Sequence, residues 1–309
     1  MAKIINRKST CQFYMVMALL FFVFFSATSC ITVQERKSLA EKYIELGNSY
    51  MELKKWDKAA AAYERALELD PDNLGGTYNY VRALIETGKV KDAIPLAEKL
   101  VASEPENSLY LTVLAYAQYK TGNYDSAIKV YQKVVALRYN DEVSIANLCL
   151  LLEATNQYEE AVKYYRDVIK ISSTPNVYRL KLAQVLYKLE KYDEALIEAQ
   201  QYTSEKPNDG VGVKILAKIF EKLKKFDDAI ALLENYTLNA QSDAEALFMY
   251  ARLQFLVGKL EEGKETLQKA LKAGYSDTQS ISELLDLKEI EAIKSELETM
   301  IQNSQSGKK

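Results

Sequence analysis

The stretch AEKYIELGNSYMELKKWDKAAAAYERALELDPDN, Ala40 to Asn73, holds the pattern from which most of the chain is built. It contains two helical segments of about a dozen residues each, read from the recurrence of apolar and small side chains at helical spacing. Gly47 and Ala59 are the small residues that let the two segments approach closely. Working outward, Ala59 recurs as Ala93, Ala127, Ala161, Ala195, Ala229 and Gly263, at a constant 34-residue interval. Twelve residues before these stand Gly47, Val81, Ala115, Cys149, Ala183, Ala217 and Ala251. Three residues before them an aromatic recurs as Trp56, Tyr124, Tyr158, Tyr192 and Phe226, with Val90 and Leu260 in its place elsewhere. Pro71, Pro105 and Pro207 close three of the units. A period held this long means stacked supersecondary units, because no single unit can bury its own apolar face.

Local signals agree with this reading. Asp57, Asp125, Glu159, Asp193, Asp227 and Glu261 open the second helices, where an acid faces the positive end of the helix dipole. Gly88, Gly122, Asn156 and Gly258 stand where a left-handed cap would end the first helices. The aromatic near the turn is expected to fill the gap between one pair and the next. The 34-residue signature, and Ala40 to Asn73 almost throughout, resembles the tetratricopeptide repeat. The resemblance implies an all-α, right-handed superhelical solenoid of seven helix-turn-helix repeats. Its units would be 40–73, 74–107, 108–141, 142–175, 176–209, 210–243 and 244–277. Residues 278–303 depart from the repeat, and Ile281, Leu284, Leu285, Leu287, Ile290, Ile293, Leu297, Met300 and Ile301 give them an apolar stripe. They read as one or two capping helices, with 304–309 a frayed tail.

The leader has a chemistry of its own. Lys3, Arg7 and Lys8 precede Phe13 to Phe25, thirteen residues that are apolar apart from the Tyr14 hydroxyl. That length suits a signal-peptide core and is short for a bilayer span. Ala27-Thr28-Ser29-Cys30 resembles a bacterial lipobox, with Ala27 where leucine is usual. The resemblance implies a signal peptide over 1–29, acylation of the Cys30 sulfur, and a body tethered by 30–39, a segment that is otherwise the lead-in to the first helix. Two other fates remain open: a retained signal anchor, since Cys11 to Val33 is 23 uncharged residues, and plain cleavage. Lipoprotein or anchor, the body lies outside the cytoplasm, because the basic residues stay inside. Ile31 after the cysteine favours the outer membrane, by likeness to lipoprotein sorting in enteric bacteria.

Composition removes several function classes. The 309 residues include no histidine, which takes away the commonest general base and the commonest metal ligand. Cys11, Cys30 and Cys149 are too scattered for a metal site or a disulfide framework. Cys149 holds a small-residue position and reads as a buried structural thiol. No phosphate-binding glycine loop or nucleophile motif is present. Beyond residue 29 the chain has 37 basic and 43 acidic residues, a net charge of −6. That balance argues against sequence-independent nucleic-acid binding. The expectation is a protein that is not an enzyme, with no cofactor, metal, nucleic acid or small-molecule substrate.

In the resembled family the first helix of each repeat lines a concave groove that holds partner peptides or helices. Carrying the groove positions over gives Tyr78 and Arg82 in the second repeat, and Tyr116, Tyr119 and Lys120 in the third. It gives Asn147 in the fourth and Lys181, Gln184, Tyr187 and Lys188 in the fifth. Lys214, Lys218 and Lys222 follow in the sixth, and Arg252 in the seventh. The tyrosines offer broad contact with a hydrogen-bonding tip. Lys181, Lys188, Lys214, Lys218, Lys222 and Arg252 together would suit an acidic segment, a carboxylate terminus or an anionic head group. A carboxylate clamp for chaperone tails is not expected, because Asn48 and Asn79 are kept while Ile44, Leu109 and Val113 replace its cations. The expected role is a membrane-anchored protein-interaction scaffold of the bacterial envelope. Alternatives are a surface-exposed lipoprotein adhesin, a component of a transport system, or an inner-membrane signal-anchored scaffold.

Overall fold

A left-handed residue ends every first helix of the repeat. The computed structural model describes residues 32–306; the leader with Phe13 to Phe25 and Cys30, and residues 307–309, lie outside the described residues. Among the described residues there are sixteen α-helices, one short 3-10 helix and no strand. The helices run in pairs: α1 (Val33–Glu52) with α2 (Trp56–Leu69), α3 (Leu74–Glu86) with α4 (Val90–Ser103), and α5 (Ser108–Lys120) with α6 (Tyr124–Leu137). Next come α7 (Glu142–Ala154) with α8 (Tyr158–Ile171), and α9 (Pro175–Lys188) with α10 (Tyr192–Glu205). The last pairs are α11 (Gly210–Lys222) with α12 (Phe226–Asn239) and α13 (Ala244–Leu256) with α14 (Leu260–Lys272). Then follow α15 (Thr278–Leu285), the 3-10 turn η1 (Lys288–Ile293) and α16 (Lys294–Ser306).

Lys54, Gly88, Gly122, Asn156, Glu190, Lys224 and Gly258, one per pair, have φ between 54° and 80°. In six pairs the next N–H donates to the carbonyl five residues earlier, as Lys55 does to Tyr50 and Lys259 to Gln254. This bond satisfies an orphan carbonyl of the helix end. Gly88, Gly122, Asn156 and Gly258 stand where residue type alone places a cap. Lys54, Glu190 and Lys224 hold the same geometry against the Cβ penalty, and the 34-residue period is their only signal.

The helix starts are equally regular. Asn73, Asn107, Asp141, Asp209 and Asp243 each accept a backbone N–H of the first helix that follows, and Asp277 does so for α15. For α9, Pro175 opens the helix instead. Second helices rely on acids in the first turn, and Asp92 of α4 completes the series begun at Asp57. The first helix differs from expectation. Thr32 and Glu35 form a reciprocal capping box, so α1 begins at Val33 and residues 33–39 are helix, the lead-in of the two readings. At the other end α16 continues to Ser306, past Asn303 where a tail was expected.

The chain divides after Lys133 into two compact units. In the first, α1 packs on α2, α2 on α3, α3 on α4 and α4 on α5, and α3 also touches α5. Ala59, Val81, Ala93, Ala115 and Ala127 are fully buried. A Cβ on Gly47 would lie 2.4 Å from Tyr63 Cε1, so the ring of α2 occupies the space a side chain would need. The turn aromatics of this unit, expected to fill the gap between one pair and the next, are not fully buried core residues. Trp56 is only half-buried and Tyr124 is exposed, because both open a second helix at its solvent edge. The buried rings come seven residues after that position, at Tyr63 and Tyr131.

In the second unit consecutive helices from α7 through α14 pack on one another. Cys149, Ala161, Ala183, Ala195, Ala217, Ala229 and Ala251 are fully buried. Burial pushes the Cys149 thiol well above its ordinary value, as suits a structural side chain. Tyr165 repeats the Tyr63 position and donates its hydroxyl to Glu153. Residues after Gly274 close the apolar end of α13 and α14: Ile281, Leu284, Ile290, Leu297 and Ile301 are buried with Leu247, Phe248, Phe255, Leu267 and Leu271. Tyr275 stacks on Phe248 with ring centroids 4.1 Å apart.

The left-handed caps make a stability prediction. Lys54→Gly, Glu190→Gly and Lys224→Gly remove a Cβ penalty larger than the added chain entropy, so each should raise stability by about 0.5 kcal/mol. Gly88→Ala, Gly122→Ala and Gly258→Ala should lower it by about 1 kcal/mol each. Urea unfolding followed by circular dichroism checks both signs.

Candidate partner-binding surface

The expected site residues all stand on first helices, which in each unit pack side by side with the next first helix: α1 on α3, α3 on α5, α9 on α11 and α11 on α13. In the first unit Asn48 of α1 links three helices. Its Oδ1 accepts from Tyr63 Oη of α2 at 2.7 Å and from Asn79 Nδ2 of α3 at 3.2 Å. Burial pushes the Tyr63 hydroxyl up to about 12, partly offset by the charge of Arg82, so it stays a donor to Asn48 at neutral pH. The Arg82 guanidinium lies over the Tyr78 ring at 5.6 Å, and that ring sits 5.9 Å from Tyr110. On α5 the Lys120 ammonium lies over the Tyr116 ring, also at 5.6 Å. Tyr116, Tyr119 and Tyr124 form a chain of rings with centroids 6.2 and 6.0 Å apart. Tyr78 and Tyr116 are half-buried, while Tyr119, Arg82 and Lys120 are exposed. Among the described residues neither Arg82 nor Lys120 has an ion pair. Each cation therefore rests on an aromatic face and keeps its charge available.

In the second unit the cations divide into two groups. Lys214 lies 2.9 Å from Glu245 and 3.3 Å from Asp243, and Lys218 lies 3.3 Å from Glu245. Arg252 pairs with Glu221. The expectation of six open cations is therefore corrected: three are neutralised by carboxylates of the chain itself. Lys188 lies over the Tyr158 ring at 4.9 Å, and Tyr187 meets Tyr192 edge-on at 5.5 Å. Lys181 and Lys222 have no ion pair among the described residues. Asn147 of α7 and Gln184 of α9 are half-buried.

The sequence reading missed that Asp243 and Glu245 neutralise Lys214 and that Glu221 pairs with Arg252. For Glu221 and Glu245 the signal is a spacing of 31 residues, seen in Asn48 with Asn79, in Glu221 with Arg252 and in Lys214 with Glu245. The repeat period exceeds that spacing by three, so a side chain on one first helix meets the position three residues earlier in the next repeat. Among the described residues no His, Cys, Asp and Glu cluster has the arrangement of a metal site. No helix among them is long and apolar enough to cross a membrane.

Comparison with known proteins agrees with this geometry. Residues 32–145 match the model of the cytochrome c-type biogenesis protein H TPR domain. Residues 123–202 and 154–236 match that of anaphase-promoting complex, cyclosome, subunit 3, and 216–277 match a tetratricopeptide repeat model. No curated protein matches the sequence significantly. Among solved structures, a tetratricopeptide repeat protein from Parabacteroides merdae superposes with a TM-score of 0.54 at 18% identity, over 80% of this chain and 97% of that one. The Naa15/Naa10 complex bound to HypK-THB gives 0.54 at 16% identity, over 76% of this chain and 36% of that one. YrrB, described as a TPR protein with an unusual peptide-binding site, gives 0.52 at 16% identity, over 60% of this chain and 96% of that one. At these identities the likeness concerns the fold.

The carboxylates around Lys214 set a pH dependence. Burial pushes Asp243 up, but the Ala246 amide, the Tyr236 hydroxyl and Lys214 outweigh it and hold the carboxyl below its ordinary value. Glu245 is held low in the same way by Lys214 and Lys218. Carboxyls with lowered folded values contribute fully above the unfolded value of about 4 and lose that contribution as pH falls through the folded values. The variant Asp243→Asn should therefore be less stable than the parent by about 1 kcal/mol at pH 7. The gap should close toward pH 2, as measured by urea unfolding across that range.

Proposed function

The chain is a tetratricopeptide-repeat protein, and we propose that it works as a non-catalytic scaffold tethered to the bacterial cell envelope through lipid on Cys30. Its first helices would bind segments of partner proteins and help assemble an envelope complex. The observation that carries this reading is the pairing of Arg82 with Tyr78 and of Lys120 with Tyr116 on first helices. Each combines a broad apolar contact with an uncommitted charge, the chemistry found where one protein grips another. The leader supports the tether: its basic start, short apolar core and Ala27-Thr28-Ser29-Cys30 sequence fit a lipoprotein facing the periplasm from the outer membrane.

The match of residues 32–145 to the TPR domain of a cytochrome c-type biogenesis protein favours one second reading, in which the assembly served is that of c-type cytochromes. Haem-stained gels of a deletion strain test it: undiminished c-type cytochromes rule it out.

Two measurements test the main proposal. Intact mass of the protein purified from membranes should give a chain beginning at Cys30 with added acyl mass, and Cys30→Ala should abolish both. A photo-crosslinking residue in place of Tyr119 should capture proteins more efficiently in cells than one in place of Lys129, an exposed position on α6. Equal capture at both positions refutes a binding face on the first helices.

A further inference from the structure

Three valines hold the same repeat position at the start of consecutive first helices: Val143 on α7, Val177 on α9 and Val211 on α11. They are 66%, 62% and 53% exposed. The three helices are neighbours, since Tyr178 of α9 donates to Glu142 of α7 at 3.0 Å and α9 packs on α11. The valines therefore form a row across them. Folding gains little from this row. A β-branched residue on an exposed helix surface loses side-chain freedom and buries little. On α13 the equivalent position is Glu245, which neutralises Lys214 and Lys218 and ends the apolar row.

The charges on the same helices are sorted. Glu142 accepts from Ser172 and Tyr178, Glu153 from Tyr165, and Glu221 pairs with Arg252. Arg179 pairs with Glu198 at 2.9 Å. Every carboxylate of α7, α9 and α11 is thus engaged inside the protein. Lys181, Lys188 and Lys222 keep no ion pair among the described residues. Lys188 and Lys222 stand eleven residues after Val177 and Val211, and Lys181 four after Val177, which places them on the valine face of each helix. Eleven residues of helix span about 16 Å. The surface is therefore apolar along one edge, with Lys181 about 6 Å from it, and cationic at Lys188 and Lys222 along the other.

We propose that this surface binds an acidic amphipathic helix of a partner protein, lying across α7, α9 and α11. Its apolar side covers Val143, Val177 and Val211, and its carboxylates face Lys181, Lys188 and Lys222. The dimensions suit it. A helix with side chains is about 10–12 Å across, which fits between the two edges with the lysine stems closing the gap. Three first helices at about 10 Å spacing cover about 20 Å, the length of about 13 helical residues. The inference rests on the reading of first helices as the binding face and adds the place and the partner's chemistry.

The test uses the full chain and three labelled synthetic peptides of about 20 residues, all helix-forming. One carries leucines along one side and glutamates beside them, the second has lysine for glutamate, and the third has serine for leucine. Fluorescence anisotropy should show the acidic leucine peptide binding at least tenfold tighter than either other. Joint substitution Val143→Ser, Val177→Ser, Val211→Ser should weaken it at least fivefold. Joint substitution Lys181→Glu, Lys188→Glu, Lys222→Glu should reverse the preference toward the lysine peptide, a gain that loss of folding does not produce. No binding by any peptide, or binding indifferent to both sets of substitutions, overturns the inference. If Arg82→Ala and Lys120→Ala abolish binding while the valine and lysine sets do not, this inference falls and the first-helix reading stands. Binding to vesicles with roughly one third anionic lipid, lost in the valine set and without peptide binding, overturns it in favour of a lipid surface.

Discussion

The structure depends on how closely the two helices of a pair approach. Small residues with no exposed surface stand on both sides of that contact in nearly every pair, from Ala59 to Ala251. Where the side chain disappears altogether, a ring from the opposite helix takes its place. In the first pair Gly47 lies on the first helix and Tyr63 comes from the second. In the last pair the roles are exchanged: Gly263 lies on the second helix and Phe255 comes from the first. The contact tolerates either arrangement because it needs only a fixed combined volume, and interiors are packed to that tolerance. A pair so joined still has an apolar flank, which the next pair covers. At the end of the series Ile281, Leu284, Ile290, Leu297 and Ile301 do the covering.

A fixed pair stacked at a fixed period makes a lattice of positions. Two vectors describe it within a unit. A step of one full repeat carries a side chain to the same place in the next repeat, as from the cap at Asn156 to the cap at Glu190. A step three residues shorter carries it to its contact on the next first helix, as from Asn48 to Asn79 or from Glu221 to Arg252. The fold fixes these vectors and leaves the residue types free. Recognition is then a matter of which lattice points carry charge, and of whether the point one contact step away cancels it.

Much of the fold was legible for this reason. The period, the small-residue contact, the acids of the second helices and the glycine caps are each a residue type forced by local physics. What escaped was conformation or contact that residue type does not announce. Lys54, Glu190 and Lys224 take a left-handed geometry because the helix above and below them demands it. Tyr63 and Trp56 are both aromatic, seven residues apart, and only packing says which one is buried. The start of α1 at Val33 rests on Thr32 and Glu35, a capping box spaced correctly but lying outside the repeat. The candidate site was legible as a set of positions and misread as a field of charge. Single residues show the lysines, whereas the neutralisation of Lys214 by Glu245 appears only when adjacent repeats are aligned at the offset contact spacing.

That difference decides which residues can recognise anything. A partner that reached Lys214 or Arg252 would have to displace Asp243, Glu245 or Glu221 from a geometry already satisfied, and would leave that carboxylate seeking a new partner. The exchange returns little, since one ion pair replaces another. Arg82, Lys120, Lys181, Lys188 and Lys222 carry no such cost. The two units then offer different chemistry on one scaffold: cations laid on tyrosine rings in the first, and in the second a valine row beside Lys181, Lys188 and Lys222, of which Lys188 also lies over the Tyr158 ring. Tyrosine with arginine or lysine suits a partner that presents mixed polar and apolar contacts. Valine beside lysine suits one whose apolar and acidic sides are cleanly separated. A repeat protein acquires specificity in this way, by leaving selected lattice points unpaired rather than by changing the fold.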